Sequence, residues 1–166
     1  ENIKYNEAKK GTMESLINGV LFGLNQKNYH IGGFNAYIEC SIPRNVGLGS
    51  SANFGIMIGT IINHLYNEGQ IENKYLVQIG RFATNTFYCK PSGLMNECVC
   101  CVGGFIKVDF KDPNSPDICK LNIDFSNFDY TLCSVNSNLI RSDNTVDYDA
   151  VPAEMIEVAH FFKKDV

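Results

Sequence analysis

An α+β fold is predicted for this 166-residue chain from three observations. Several runs carry apolar residues at helical spacing, others are short and β-rich, and the two kinds do not alternate in the βαβ order that builds a parallel sheet. With 45% hydrophobic residues the chain has material for a core, and its length is that of one ordinary domain.

Met13, Leu16, Ile17, Val20, Leu21 and Leu24 recur at helical spacing, which predicts an amphipathic helix over about residues 12–26. Gly32-Gly33 turns the chain. Phe34 to Ile42 then reads as a strand, with Phe34, Ala36, Ile38 and Cys40 on one face. Phe54, Met57, Ile58, Ile61, Ile62 and Leu65 mark a second helix ending near Asn67-Glu68-Gly69. Leu76, Ile79, Ala83 and Phe87 mark a third, closed by Pro91. Gly93–Glu97 reads as a short connector. Three strands are predicted after it, at Gly104–Phe110, Cys119–Asp124 and Tyr130–Asn136, with Lys111–Pro116 as a surface turn. Val151, Met155, Val158, Ala159 and Phe162 predict a final helix.

The formal charge of −4 carries no basic stripe, and Lys9-Lys10 and Lys163-Lys164 are isolated pairs, so nucleic acid is not an expected partner. The longest apolar stretch, Phe54 to Ile62, is broken by Gly55, Gly59 and Thr60. It is shorter than the ~20 residues a membrane-spanning helix needs. No signal-peptide pattern opens the chain. The seven cysteines, Cys40, Cys89, Cys98, Cys100, Cys101, Cys119 and Cys133, form no disulfide framework. Most are expected to be small buried hydrophobes. The cluster Cys98-Val99-Cys100-Cys101 lacks paired Cys-x-x-Cys motifs and a nearby histidine, so a metal site is not expected there. A reducing cytoplasm fits this usage. His30, His64 and His160 are scattered and make no constellation.

The most informative segment is Pro43-Arg44-Asn45-Val46-Gly47-Leu48-Gly49-Ser50-Ser51-Ala52, a glycine- and serine-rich loop that opens into the second helix. Backbone N–H groups at a helix N-terminus point outward and carry partial positive charge, so they can cradle phosphate. The two glycines let an anion approach the backbone, and the serine hydroxyls add donors. The spacing also fits a serine-capped helix entry of no ligand function. Gly47-x-Gly49-x-x-Ala52 further matches a dinucleotide fingerprint, but that needs a strand abutting Gly47, and Pro43, Arg44 and Asn45 intervene. The missing Gly-Lys-Ser/Thr ending excludes a Walker A loop.

Pro-x-x-x-Gly-Leu-Gly-Ser-Ser-Ala resembles the phosphate loop of the GHMP kinases, which include galactokinase and the homoserine, mevalonate and phosphomevalonate kinases. Lys90-Pro91-Ser92-Gly93-Leu94-Met95-Asn96-Glu97 resembles the galactokinase segment Pro-Cys-Gly-Leu-Met-Asp-Gln. Val102-Gly103-Gly104-Phe105 is similar to its Gly-Gly turn, and Asn136-Ser137-Asn138 and Asp147-Tyr148 to later landmarks. The resemblance implies an α+β GHMP-kinase-like fold, with a ribosomal S5 domain 2-like N-terminal half over 1–125 and the start of the C-terminal half over 126–166. It also implies ATP and Mg²⁺ as cofactors and galactose as substrate. Nucleotide binding falls on Gly47, Leu48, Gly49, Ser50, Ser51 and Ala52, with Ser51 in the position of the serine that contacts Mg²⁺. Sugar contacts fall on Gly93, Asn96 and Tyr148, and Arg44 is placed near the phosphates.

The departures matter as much. The family's metal-binding glutamate falls on Thr84 and its catalytic aspartate on Asn96; Glu97 replaces a glutamine, and Asn53 and Gly55 replace residues that are usually alanine and glutamate. The Gly-Glu-His-Thr-Asp run and the glycine-rich third motif of galactokinases do not occur, so the chain is expected to be an incomplete, central piece of such a protein, with exposed apolar faces. The first expectation is therefore a galactokinase-like chain with weak or no turnover. The second is a non-catalytic galactose or nucleotide sensor on the same fold. A dinucleotide-binding oxidoreductase is discounted, because helix follows helix after the loop.

Overall fold

The computed structural model describes residues 9–41, 47–112, 114–135 and 145–164, with side chains from residue 150 onward in the last stretch. Contacts divide the chain into two units, Glu1–Cys40 with Gly49–Leu132, and Ser41–Leu48 with Cys133–Val166.

In the first unit, α1 spans Met13–Gln26. Thr12 caps it from an extended backbone, its side chain accepting from the Ser15 N–H at 3.2 Å. The face made by Leu16, Gly19, Val20, Gly23 and Leu24 is buried. Helix α2 spans Ser50–Tyr66 and α3 spans Asn73–Phe82. Helix α3 runs on without a break into a π-helical turn, Ala83–Phe87. The core is shared among these elements: Leu16, Val20 and Leu24 pack with Ile56, Ile58, Ile62, Leu76, Ile79 and Ala83. The helical spacing selects Leu16, Val20, Leu24, Ile58, Ile62, Leu76, Ile79 and Ala83 among these but not Ile56, while Leu65, which it also selects, is exposed.

Two asparagines tie α2 to its neighbours by standing in for a backbone pair. Asn63 donates to the Ile71 carbonyl at 3.2 Å and accepts the Ile71 N–H at 3.0 Å. Asn67 does the same with His30, at 2.9 and 3.0 Å. A carboxamide offers one donor and one acceptor side by side, which matches the N–H and C=O of a single residue.

The segment Gly93–Glu97 departs from expectation. It opens a helix, α4, spanning Met95–Val102, rather than remaining a connector. Leu94, Cys98 and Cys101 lie four and three residues apart and turn toward Val77 and the sheet, a helical stripe too short to stand out in the sequence. Gly103 and Gly104, at φ 72° and 71°, end α4 in left-handed conformations and release the chain into β1.

Strands β1 (Phe105–Asp109) and β2 (Asp117–Leu121) form an antiparallel pair with Lys107 opposite Cys119. Ile106, Val108 and Ile118 face the Val77, Leu94 and Cys98 cluster. The predicted second strand, Cys119–Asp124, thus begins and ends earlier. The predicted strands at 34–42 and 130–136 do not form over their described residues, 34–41 and 130–135. A strand needs a ladder partner for its N–H and C=O groups, and the described sheet contains β1 and β2 alone. Tyr37 is 92% exposed as a result.

In the second unit, α5 spans Thr145–Phe161 with Pro152 inside it, and Val151, Met155, Val158 and Phe161 are exposed.

Gly55 lies inside α2, where glycine is a poor helix former. A Cβ there would meet Leu16 Cδ1 at 3.8 Å and Val20 Cγ2 at 3.9 Å, which is ordinary contact. Gly55→Ala is expected to stabilise the chain by about 0.5–1 kcal/mol, read as a higher urea midpoint at unchanged m.

Candidate functional site

The site grows from the N-terminus of α2. Gly49 is the N-cap, in the left-handed region at φ 69°, ψ 28°, and no side chain caps the helix. The Gly49 carbonyl accepts the Asn53 N–H at 3.0 Å. Ser50, Ser51 and Ala52 supply the first-turn amides, and no acidic residue stands in that turn to occupy them. A left-handed glycine followed by such a turn presents adjacent N–H groups to an anion.

Asn96 lies over this turn. A Cβ built on Gly49 would fall 3.3 Å from Asn96 Cγ, 3.5 Å from its Cβ and 3.6 Å from Nδ2. Helix α4 therefore brings the position of the expected catalytic residue against the expected phosphate loop, across 47 positions of sequence. Gly49 is glycine for two reasons, its positive φ and the room it leaves for Asn96.

The segment before α4 is held by a third asparagine of the same kind. Asn85, on the π-helical turn, accepts the Ser92 N–H at 2.8 Å and donates to the Ser92 carbonyl at 3.2 Å. Gly93 follows, exposed, with open space where a Cβ would sit. Asn85 and Ser92 were not flagged by the sequence. Their pairing spans Pro91 and joins the π-helical turn to the segment before α4.

Thr84 sits one residue before Asn85 and is 1% exposed. Its hydroxyl donates to the Gly80 carbonyl at 3.0 Å. With its proton committed to its own helix and its side chain in the core, Thr84 does not fit a Mg²⁺ ligand, which is normally a carboxylate or water oxygen. Ser51, half-buried in the first turn of α2, remains available. Among the described residues no group of three His, Cys, Asp or Glu side chains could hold a metal ion.

Glu97 points away from the loop. It is fully buried, and its Cγ lies 3.4 Å from where a Cβ on Gly80 would stand. It cannot replace Asn96 as a base toward a ligand at Gly49. Burial raises its carboxyl above the ordinary 4.5, opposed by backbone and Ser92 hydrogen bonds and by Arg81.

The cysteines divide differently from expectation. Cys98 is buried and Cys100 and Cys101 half-buried, while Cys40, Cys119 and Cys133 are exposed, since the strands expected to bury Cys40 and Cys133 do not form. Burial pushes the thiols of Cys98, Cys100 and Cys101 up, the last to about 11.

Of the other predicted residues, Gly47 has φ 79° and Leu48 is exposed, both in the second unit. Arg44 and Asn136-Ser137-Asn138 lie outside the described residues, as does the side chain of Tyr148. No helix of the described residues is long and apolar enough to cross a membrane.

A family model for the GHMP kinases N terminal domain matches residues 15–104. The chain is 28% identical over 144 residues to a galactokinase of Clostridium tetani, covering 87% of this chain and 36% of that protein. It is 33% identical over 107 residues to a galactokinase of Pyrococcus furiosus, covering 64% and 30%. With a galactokinase of Limosilactobacillus fermentum the identity is 27% over 131 residues, covering 78% and 34%. The chain thus spans about a third of the length of these curated relatives. No solved structure matches it.

Proposed function

The chain belongs to the GHMP kinase family and is galactokinase-like within it, and from that membership we propose that its site takes ATP and galactose, for transfer of the γ-phosphoryl group to the anomeric hydroxyl. The observation that carries this reading is the approach of Asn96 to Gly49, which sets an acceptor-side residue against a phosphate-side helix terminus. The amides of Ser50, Ser51 and Ala52 take the phosphate charge. Gly93 gives the sugar a side-chain-free approach.

In the transfer, a bond forms from the sugar oxygen to phosphorus as the bond to the bridging oxygen breaks and ADP leaves. The hydroxyl proton must go to an acceptor. Asn96 is a neutral amide and accepts no proton at neutral pH. Thr84 supplies no charged oxygen to hold Mg²⁺. This chain therefore binds both substrates and turns them over weakly or not at all. The same two residues favour a second reading, a galactose or nucleotide sensor that binds without transfer. A cysteine pattern without a disulfide framework supports a reducing compartment.

Gly49→Ala tests the site. It forces a side chain into the left-handed region, at about 1–2 kcal/mol, and drives a methyl toward Asn96 Cγ. ATP affinity measured by calorimetry is expected to fall about tenfold or more. ATP binding equally well to the variant and the parent would remove the α2 terminus from the site.

A further inference from the structure

Ser92 makes more contacts through its hydroxyl than one proton can serve. Its Oγ lies 3.0 Å from the Gly93 carbonyl, which can only accept, and 3.3 Å from Glu97 Oε1. If the Ser92 proton goes to Gly93, Glu97 must be the donor in the second contact, and a carboxyl donates only when protonated. The surroundings agree. Glu97 is 0% exposed, and its other oxygen, Oε2, has no hydrogen-bond partner. An ionised carboxylate there would be a buried charge with an unsatisfied oxygen, which proteins avoid by neutralising the group. The charged and titratable groups that face it are Arg81 on α3 and the thiols of Cys98 and Cys100 on α4, while α2 presents Ile56 and α3 the backbone of Gly80. Arg81 forms no ion pair with it.

We propose that Glu97 is a protonated positioning residue, whose O–H donates to Ser92 Oγ so that the Ser92 proton is fixed on the Gly93 carbonyl. Asn85 holds the Ser92 backbone from one side and Glu97 holds its side chain from the other. Together they hold the segment that carries Gly93 and leads into Asn96, which lies against Gly49. Ionisation of Glu97 removes the donor, places a charge in the core and loosens the segment on which the sugar is read. The effect on sugar binding rests on the function proposed above; the proton on Glu97 does not.

The sign follows from the proton count. The folded chain holds a proton on Glu97 that the unfolded chain releases near 4.5, so this stabilisation is whole below that pH and is lost as pH rises through the folded value. Glu97→Gln keeps a donor to Ser92 Oγ and cannot ionise. Its melting temperature is expected to equal that of the parent at pH 4 and to exceed it by roughly several degrees at pH 8. The sequence-specifically assigned Glu97 carboxyl carbon in the unsubstituted protein should titrate above 4.5, a measurement that needs no variant to fold. Galactose affinity should weaken with rising pH in the parent and stay level in Glu97→Gln. Melting profiles that run parallel from pH 4 to 8, or a carboxyl carbon that titrates at the ordinary value, would overturn the proposal. A raised titration together with no galactose binding at any pH would uphold the proton and remove the sugar reading instead.

Discussion

Under the proposed function, Asn96→Asp is expected to raise the rate of galactose phosphorylation by about 10²–10⁴-fold, the usual worth of a positioned general base. The substitution is nearly isosteric and half-buried at the start of α4, so the backbone that brings residue 96 over Gly49 should persist. What changes is charge. Aspartate accepts the sugar proton, and its negative charge sits beside the uncapped N-terminus of α2, where the helix dipole favours an anion. That same dipole attracts phosphate, so ATP affinity should fall modestly while turnover rises. A gain of transition-state stabilisation at residue 96 predicts that split between binding and rate. Thr84→Glu should behave oppositely. Residue 84 is 1% exposed with its hydroxyl on Gly80, so a carboxylate there enters the core without a partner and lowers stability. The decisive assay is ADP release with galactose, for the parent and Asn96→Asp at matched saturation. If galactose and ATP still bind to Asn96→Asp and turnover does not rise, the chain is a binder rather than a decayed kinase.

Helices α1, α2 and α3 were legible because each presents an apolar stripe long enough for the 3.6-residue period to show. Helix α4 was not, since Leu94, Cys98 and Cys101 give barely two turns, among cysteines with no strong preference. The strand pattern of Phe34, Ala36, Ile38 and Cys40 is real, but alternation specifies faces and not a partner. Over the described residues the partner is missing, and so is the strand. The entry into α2 could be read because the glycine- and serine-rich loop precedes an apolar helix; its phosphate role is read from the family motif. Its meeting with Asn96 came from the family motif, not from any spacing rule. The Asn85–Ser92 contact was invisible for a physical reason. Asn85 stands on a π-helical turn, which adds one residue to the helical repeat and moves it off the face that a 3.6-residue count assigns it.

That turn also supplies the largest expected loss of stability. Gly19→Ala should destabilise the chain by about 2 kcal/mol, although alanine is the better helix former by ~1 kcal/mol. A Cβ on Gly19 would stand 2.9 Å from Ala83 Cα, 2.9 Å from Ala83 Cβ and 2.9 Å from Phe87 Cβ. These atoms sit on or next to the backbone, so no rotamer change relieves the overlap, and α1 must move off the π-helical turn. Gly23 is a milder case, because its nearest atom is Ile79 Cγ2 at 2.9 Å, a side-chain methyl that can shift. Gly55, with nothing closer than 3.8 Å, should gain. Alanine at the three positions brings the same helical benefit, so the order Gly55, Gly23, Gly19 in urea midpoint isolates the packing cost. Separation at Gly19 carries a second consequence. Ala83 begins the turn that bears Asn85, so moving it draws Asn85 from Ser92 and loosens Gly93 and the start of α4, where Asn96 meets Gly49. Gly19→Ala should therefore weaken galactose binding under conditions where the chain is still folded, whereas a core truncation such as Leu24→Ala should lower stability alone. Equal galactose affinity in Gly19→Ala and Leu24→Ala would separate the α1 contact from the site.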